Sequence, residues 1–272
     1  MIARRTLLAA LALAPAAAHA APKAEPWPIW ETHDPAATAT IDHAPWGRFL
    51  AAYRREGADG VARVAYRAVT PADRAGLEAD VARLAALPIS RFNRGEQFAY
   101  WVNLYNMATV LTVLRHYPVK SIRDIAISPG WFAKGPWGAK LVEVEGTKLS
   151  LDDIEHRILR PIWRDLRIHY VVNCAALGCP NLPAEPMTAA TREAMLEDAA
   201  RAFINHPRGA ALESGRLAAS SIFVWYASDF GPTPADVIRH MRQYARTDFY
   251  TGLSHIRQVS VDRYDWALNE AQ

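Results

Sequence analysis

The chain has 272 residues, 51% of them hydrophobic, with 31 Lys and Arg against 28 Asp and Glu. That much apolar composition can bury one sizeable core. The near-even charge, with no Lys/Arg run and no basic-aromatic stripe, excludes a nucleic-acid partner on electrostatic grounds.

The N-terminal MIARRTLLAALALAPAAAHA has two arginines, an apolar stretch from Leu7 to about Ala18 and a small-x-small end at Ala18-His19-Ala20. This is the pattern of a cleavable export signal, with cleavage expected after Ala20. Arg4-Arg5 faintly resembles a twin-arginine address. Its removal takes away two arginines and no acid, so the balance falls to 29 against 28. The apolar core contains Pro15 and is shorter than the roughly 18 residues of a membrane span. The expectation is a periplasmic or secreted protein with no stable membrane insertion.

Residues 21–45, rich in Pro, Ala and Thr without periodicity, read as an extended lead-in that straps onto the body through Trp27 and Trp30. Residues 46–272 read as a single globular domain. Helices are predicted at about 46–57, 71–86, 95–117, 150–164, 187–205 and 233–245. Strands are predicted at 61–68, 140–145, 166–173, 211–219 and 255–261, with turns at Glu145-Gly146 and Ser214-Gly215. The class is α+β and helix-rich, a small β-sheet packed against a long central helix.

That central helix, GEQFAYWVNLYNMATVLTVLRHYP, is apolar nearly all round, yet Glu96, Asn103 and Asn106 fall within roughly an 80° arc. Buried polar groups must find partners or cost a few kcal/mol each, so the stripe either satisfies neighbouring backbone or faces a cleft. In KLSLDDIEHRILRPIWRDLRIH, Ser150 and Asp153 form a capping-box pattern, and Leu151, Ile154, Ile158 and Ile162 make an inward stripe. Glu155 lies on that stripe's flank. His156 lies well round from it, at an edge.

The segments EQFAYWVNLYNMATV, PVKSIRDI, LSLDDIEHRILR, RIHYVVNCAALGCPNLP, SSIFVWYASDF and YDWALNE, in this order, resemble the bacterial branch of the domain of unknown function 547 family, with a core at about 90–205. The resemblance matches Glu96, Asn103, Asn106, Glu155, His156, Arg160, His169, Cys174 and Pro180 to the family pattern, and implies a family label rather than a reaction. In plant relatives the position matching Cys179 is often serine, which points to Cys174 as the more informative cysteine.

Cys174 and Cys179 are the chain's two cysteines, and three readings compete for them. They form a disulfide, for which four intervening residues suffice in an oxidising compartment. They bind zinc with His169 or His156, a spacing at the loose edge of metal sites. Or Cys174, at the end of a strand, is a nucleophile. His169 would then sit roughly 16 Å back along that strand and point to its opposite face, so the base would be His156, oriented by Glu96 or Glu155. Asn103, Asn106, Glu155, Arg160 and His169 would form the substrate side. Such a set is analogous in arrangement to papain-like or transglutaminase-like thiol enzymes.

The function expected is a cysteine-dependent hydrolase or transferase acting on a peptide or amide-like bond. The alternative is a non-catalytic binding or thiol-redox accessory protein with a Cys174–Cys179 disulfide. No cofactor or metal motif is present, a small molecule or peptide is the expected partner, and no protein partner can be read.

Overall fold

The computed structural model describes residues 22–130 and 133–271; the export signal expected over 1–20 lies outside the described residues. Ahead of the core, α1 (Ala44–Tyr53) runs into a hairpin of β1 (Arg54–Glu56) and β2 (Ala62–Val64), followed by α2 (Pro71–Ala85). The core is organised by α3 (Arg94–His116). Asn93 starts it, its side-chain oxygen accepting from the Gly95 and Glu96 N–H groups, and Arg115 and His116 stand in its last turn where cations suit the helix dipole. Every residue from Glu96 to Leu114 is buried, as expected of a helix apolar on all faces.

A second hairpin, β3 (Val142–Val144) and β4 (Thr147–Leu149), turns at Glu145-Gly146, both with positive φ as a tight two-residue turn requires. It leads into a π-helix, Asp153–Leu159, that runs directly into α4 (Arg160–Trp163). After α5 (Arg192–Ile204), β5 (Ala210–Glu213) and β6 (Arg216–Ser220) pair around Ser214-Gly215. Short helices α6 (Ile222–Trp225) and α7 (Ala227–Phe230), then α8 (Pro234–Tyr244) and α9 (Thr247–Gly252), precede β7 (Val261–Arg263), which joins β6 in parallel.

The fold is α+β and helix-rich. Two apolar clusters make its interior. The larger surrounds α3 and includes Val144 and Leu149 of the second hairpin; the other gathers Phe203, Leu217, Phe223, Phe230 and Met241. The three-stranded sheet contributes to the latter cluster, so the central helix is flanked by helices and hairpins rather than by the main sheet. The lead-in packs on the body: Trp30 meets Trp101 edge-on at 5.1 Å, and the Glu25 and Trp27 N–H groups donate to the His156 and Arg157 carbonyls. No described helix is long and apolar enough to cross a membrane.

Three expected strands differ, and the one at 61–68 is confined to Ala62–Val64 with a 3-10 turn at Tyr66–Ala68. Residues 166–173 are a 3-10 helix, Leu166–Tyr170, followed by irregular chain. Asp165 begins that turn by accepting from the Arg167 N–H, and Ile168, His169 and Tyr170 are all buried. A run buried at consecutive positions fits a tight turn between two clusters as well as it fits a strand, and the backbone here bonds to itself. Residues 253–255 are also 3-10 helical, and the strand expected at 255–261 is confined to Val261–Arg263.

Candidate functional site

A cavity of 740 Å³ opens where the two clusters meet. One wall comes from Tyr105 on α3 and from Asp152, Glu155 and His156. The rest of the lining includes Trp225, Tyr226, Tyr264 and Trp266, together with His169, Cys174 and Cys179.

The π-helix sets the first wall. Its i to i+5 bond, from the Arg160 N–H to the Glu155 carbonyl, widens the turn to roughly 80° per residue. Ile154 and Ile158 stay in the core while Asp152, Glu155 and His156 share the cavity side. His156 is therefore buried, at 4% exposure, rather than at the edge that a 3.6-residue wheel gives.

Arg160 holds this wall to the C-terminal half of the chain. Its Nε and Nη2 each donate at 2.7 Å to the two oxygens of Asp229, and His169 Nε2 stands 2.8 Å from Asp229 Oδ2. Arg160 Nη1 bonds His156 Nδ1 at 3.0 Å and the Pro22 carbonyl at 2.6 Å. A guanidinium only donates, so His156 Nδ1 is the acceptor and the ring proton sits on Nε2, 3.5 Å from Asp152 Oδ1. Burial alone would raise the Asp229 carboxyl, but the hydrogen bonds from His169 and Arg160 hold it well below the usual range. Glu155 is also lowered against its burial, by His156 and His169, the Tyr226 hydroxyl and Arg160. Its Oε2 accepts from Tyr105 at 3.2 Å, and its Oε1 lies 3.8 Å from His169 Nδ1. The Tyr226 ring covers this group, 4.0 Å from the His169 ring and 4.9 Å from the Arg160 guanidinium.

Cys174 and Cys179 are bonded to each other, their Cα atoms 6.3 Å apart. Cys174 is half-buried and Cys179 is 3% exposed. The Tyr264 hydroxyl lies 2.9 Å from Cys174 Sγ and 3.1 Å from Cys179 Sγ, and the Cys174 N–H donates to Cys179 Sγ. Burial, then the charge of Glu155, pushes the Tyr264 hydroxyl far up, so it stays protonated. The loop is pinned at both ends by Asn173, whose amide donates to the Pro180 carbonyl and accepts from the Ala175 N–H. The C-terminal segment runs along it: the Leu177 and Gly178 N–H groups donate to the Ala267 and Asp265 carbonyls. Gly178 has no room for a side chain, since a Cβ would come within 2.7 Å of the Asp265 nitrogen.

Residues 89–204 match the family described as Protein of unknown function, DUF547. Over this segment the chain is similar to the DUF547 family. No curated protein and no solved structure matches the chain. The DUF547 segment supplies Glu155, His156, His169, Cys174 and Cys179 to the cavity, whereas Trp225, Tyr226, Asp229, Tyr264 and Trp266 come from beyond it.

The expected site residues therefore divide. Glu155, His156, His169 and Cys174 meet at one cavity, with Arg160 behind them. His169 is there because the turn at 166–170 replaces the strand that would have carried it away. Glu96 is elsewhere: it begins α3 and accepts from the Ile41 N–H at 2.9 Å, so it does not orient His156. Asn103 clamps Met187, donating to its carbonyl at 2.8 Å and accepting from its N–H at 3.0 Å. Asn106 does the same across Val171 and Asn173. These amides hold the segments that frame the cavity and do not line it. Asn103→Ala is accordingly expected to destabilise the protein by about 1–3 kcal/mol, from orphaned Met187 backbone groups, while leaving the rate at which dithiothreitol opens the cavity disulfide unchanged. Urea denaturation beside dithiothreitol reduction kinetics checks both halves. With the two sulfurs bonded to each other, neither is a ligand for zinc in this form. Tyr226, Asp229 and Tyr264 lie in WYASDF and YDWALNE, segments that stand out in the sequence without a local signal that singles out these residues.

Proposed function

We propose that the protein performs thiol–disulfide exchange, with Cys174 and Cys179 as its redox couple and the cavity as the seat of a small-molecule or peptide thiol. The observation that carries this reading is the disulfide itself, placed on a cavity wall with Cys174 partly exposed and Cys179 buried. A partner thiolate attacks Cys174 Sγ, the S–S bond breaks, and Cys179 leaves as thiolate. A second thiolate then attacks the partner's sulfur in the mixed disulfide, releasing Cys174 as thiolate and the partner as its own disulfide, so two electrons pass to the protein. Tyr264, kept as a hydroxyl, donates to whichever sulfur carries the charge. Export past the inner membrane, with cleavage after Ala20, is part of the same proposal, because an oxidising compartment keeps such a couple poised.

A cysteine hydrolase or transferase acting on a peptide or amide-like bond is the second reading, favoured by Glu155, His156 and His169 sharing the cavity with Cys174. It requires the reduced form and a base. The Nδ1 lone pair of His156 is engaged by Arg160, and the sulfurs' side-chain partner is Tyr264.

Intact-mass kinetics with dithiothreitol on the folded protein test the exchange reading. The expected result is reduction without unfolding, slowed roughly tenfold in Tyr264→Phe by loss of a hydrogen bond to a charged sulfur. A disulfide that opens only as the protein unfolds would leave it a structural staple. A reduced protein that is acylated at Cys174 by an activated amide, and loses this in His156→Ala, would favour the hydrolase instead.

A further inference from the structure

We propose that a cleft between α8 and α9, remote from the disulfide in sequence and outside the DUF547 segment, binds a small polyanion of the phosphate class. The cleft has a volume of 570 Å³, and its lining includes Arg239, Arg242 and Arg257 with Gln243, Ser254 and Tyr250, and no aspartate or glutamate. Arg239 is neutralised by Asp236. Arg242 and Arg257 have no carboxylate partner among the described residues. Arg257 is set in place by its own turn, Nη1 donating to the Ser254 and Ile256 carbonyls at 3.1 and 3.3 Å. Arg242 is laid over the Tyr250 ring at 4.3 Å, and its Nε is buried without a hydrogen-bond partner.

Arginines in the last turn of a helix are common, because cations suit the helix C-terminus. That accounts for Arg242 on α8 and not for Arg257, which arrives from the segment after α9. Like charges converging on one concavity repel unless an anion lies between them. A buried guanidinium N–H without an acceptor costs more than a solvated one. An oxyanion with two or more charges answers both, since planar guanidinium forks match phosphate oxygens in pairs. Gln243 and Ser254 add neutral donors, and the volume admits a pyrophosphate or a phosphorylated small molecule.

Calorimetric titration of the full chain with sodium pyrophosphate at low ionic strength tests this. One saturable site is expected, weakened about tenfold or more by Arg242→Gln and by Arg257→Gln. Arg246→Gln removes the same charge outside the cleft and is expected to change affinity by no more than about twofold. Arg257 is exposed, so its variant keeps the test open if Arg242→Gln does not fold. Equal weakening by all three variants, or binding indifferent to Arg242 and Arg257, would overturn the site. Capture by phosphatidylglycerol vesicles without any pyrophosphate binding would also overturn it, by showing a membrane-facing patch in place of a small-anion cleft.

Discussion

Asp229→Asn is expected to lower the stability of the folded protein by about 3–5 kcal/mol, the usual consequence of removing one partner from a buried ion pair. Asp229 receives three donors, two from Arg160 and one from His169, and the Arg160 side chain is 4% exposed. An asparagine offers one oxygen, so at least one of those donors would face an NH2 group, and the guanidinium would keep its charge without a counter-ion. Through Arg160 the loss reaches His156, Tyr226 and the Pro22 carbonyl, so the rate of disulfide exchange at the cavity falls along with stability. The same pair predicts an acid limb. The Asp229 carboxyl is depressed in the folded state, so its contribution is complete above the ordinary carboxylate pKa near 4 and is lost as pH falls toward the lower folded value. The variant's stability should therefore depend less on pH below about 4. Denaturant titrations of both proteins across that range measure the difference; an Asp229→Asn protein within about 1 kcal/mol of wild type would show the pair to be effectively solvated.

Cys179→Ser and Cys174→Ser are expected to behave very differently toward an aromatic disulfide reagent. In Cys179→Ser the remaining thiol is the partly exposed Cys174, which opens on the cavity and lies within hydrogen-bond reach of the Tyr264 hydroxyl. It should form a mixed disulfide that persists, because no second cysteine remains to resolve it. In Cys174→Ser the remaining thiol is Cys179, 3% exposed beneath its own loop, and the reaction should be slower by on the order of 100-fold. Mass spectrometry of the adducts over time separates the two. Equal rates would remove the assignment of Cys174 as the attacked sulfur.

Much of this protein can be read from its residues taken in order. Helix α3 is legible because an apolar run that covers every face, opened by Asn93, has few alternatives to a central position. Glu145-Gly146 and Ser214-Gly215 are legible as turns because positive φ is demanded of both residues at each. The resemblance of 89–204 to DUF547 is likewise a property of the residues alone. Three matters were decided only in three dimensions. The segment at 166–170 is apolar enough for a strand, but a strand needs a partner edge, and with its backbone bonded to itself it closes into a turn that delivers His169 to the cavity. The π-helix changes the phase by which Glu155 and His156 are counted, and no local residue announces a wide turn as a capping box announces a helix start. The polar stripe of Glu96, Asn103 and Asn106 has the same periodicity whether it faces a cleft or clamps a loop. The choice depends on Met187, Val171 and Asn173 arriving from far along the chain. So too for the site: Asp229 meets Arg160 across 69 positions and Tyr264 meets Cys174 across 90. Local patterning determines which face of an element is buried, but the partner that each buried charge or sulfur finds there is set by how distant segments pack.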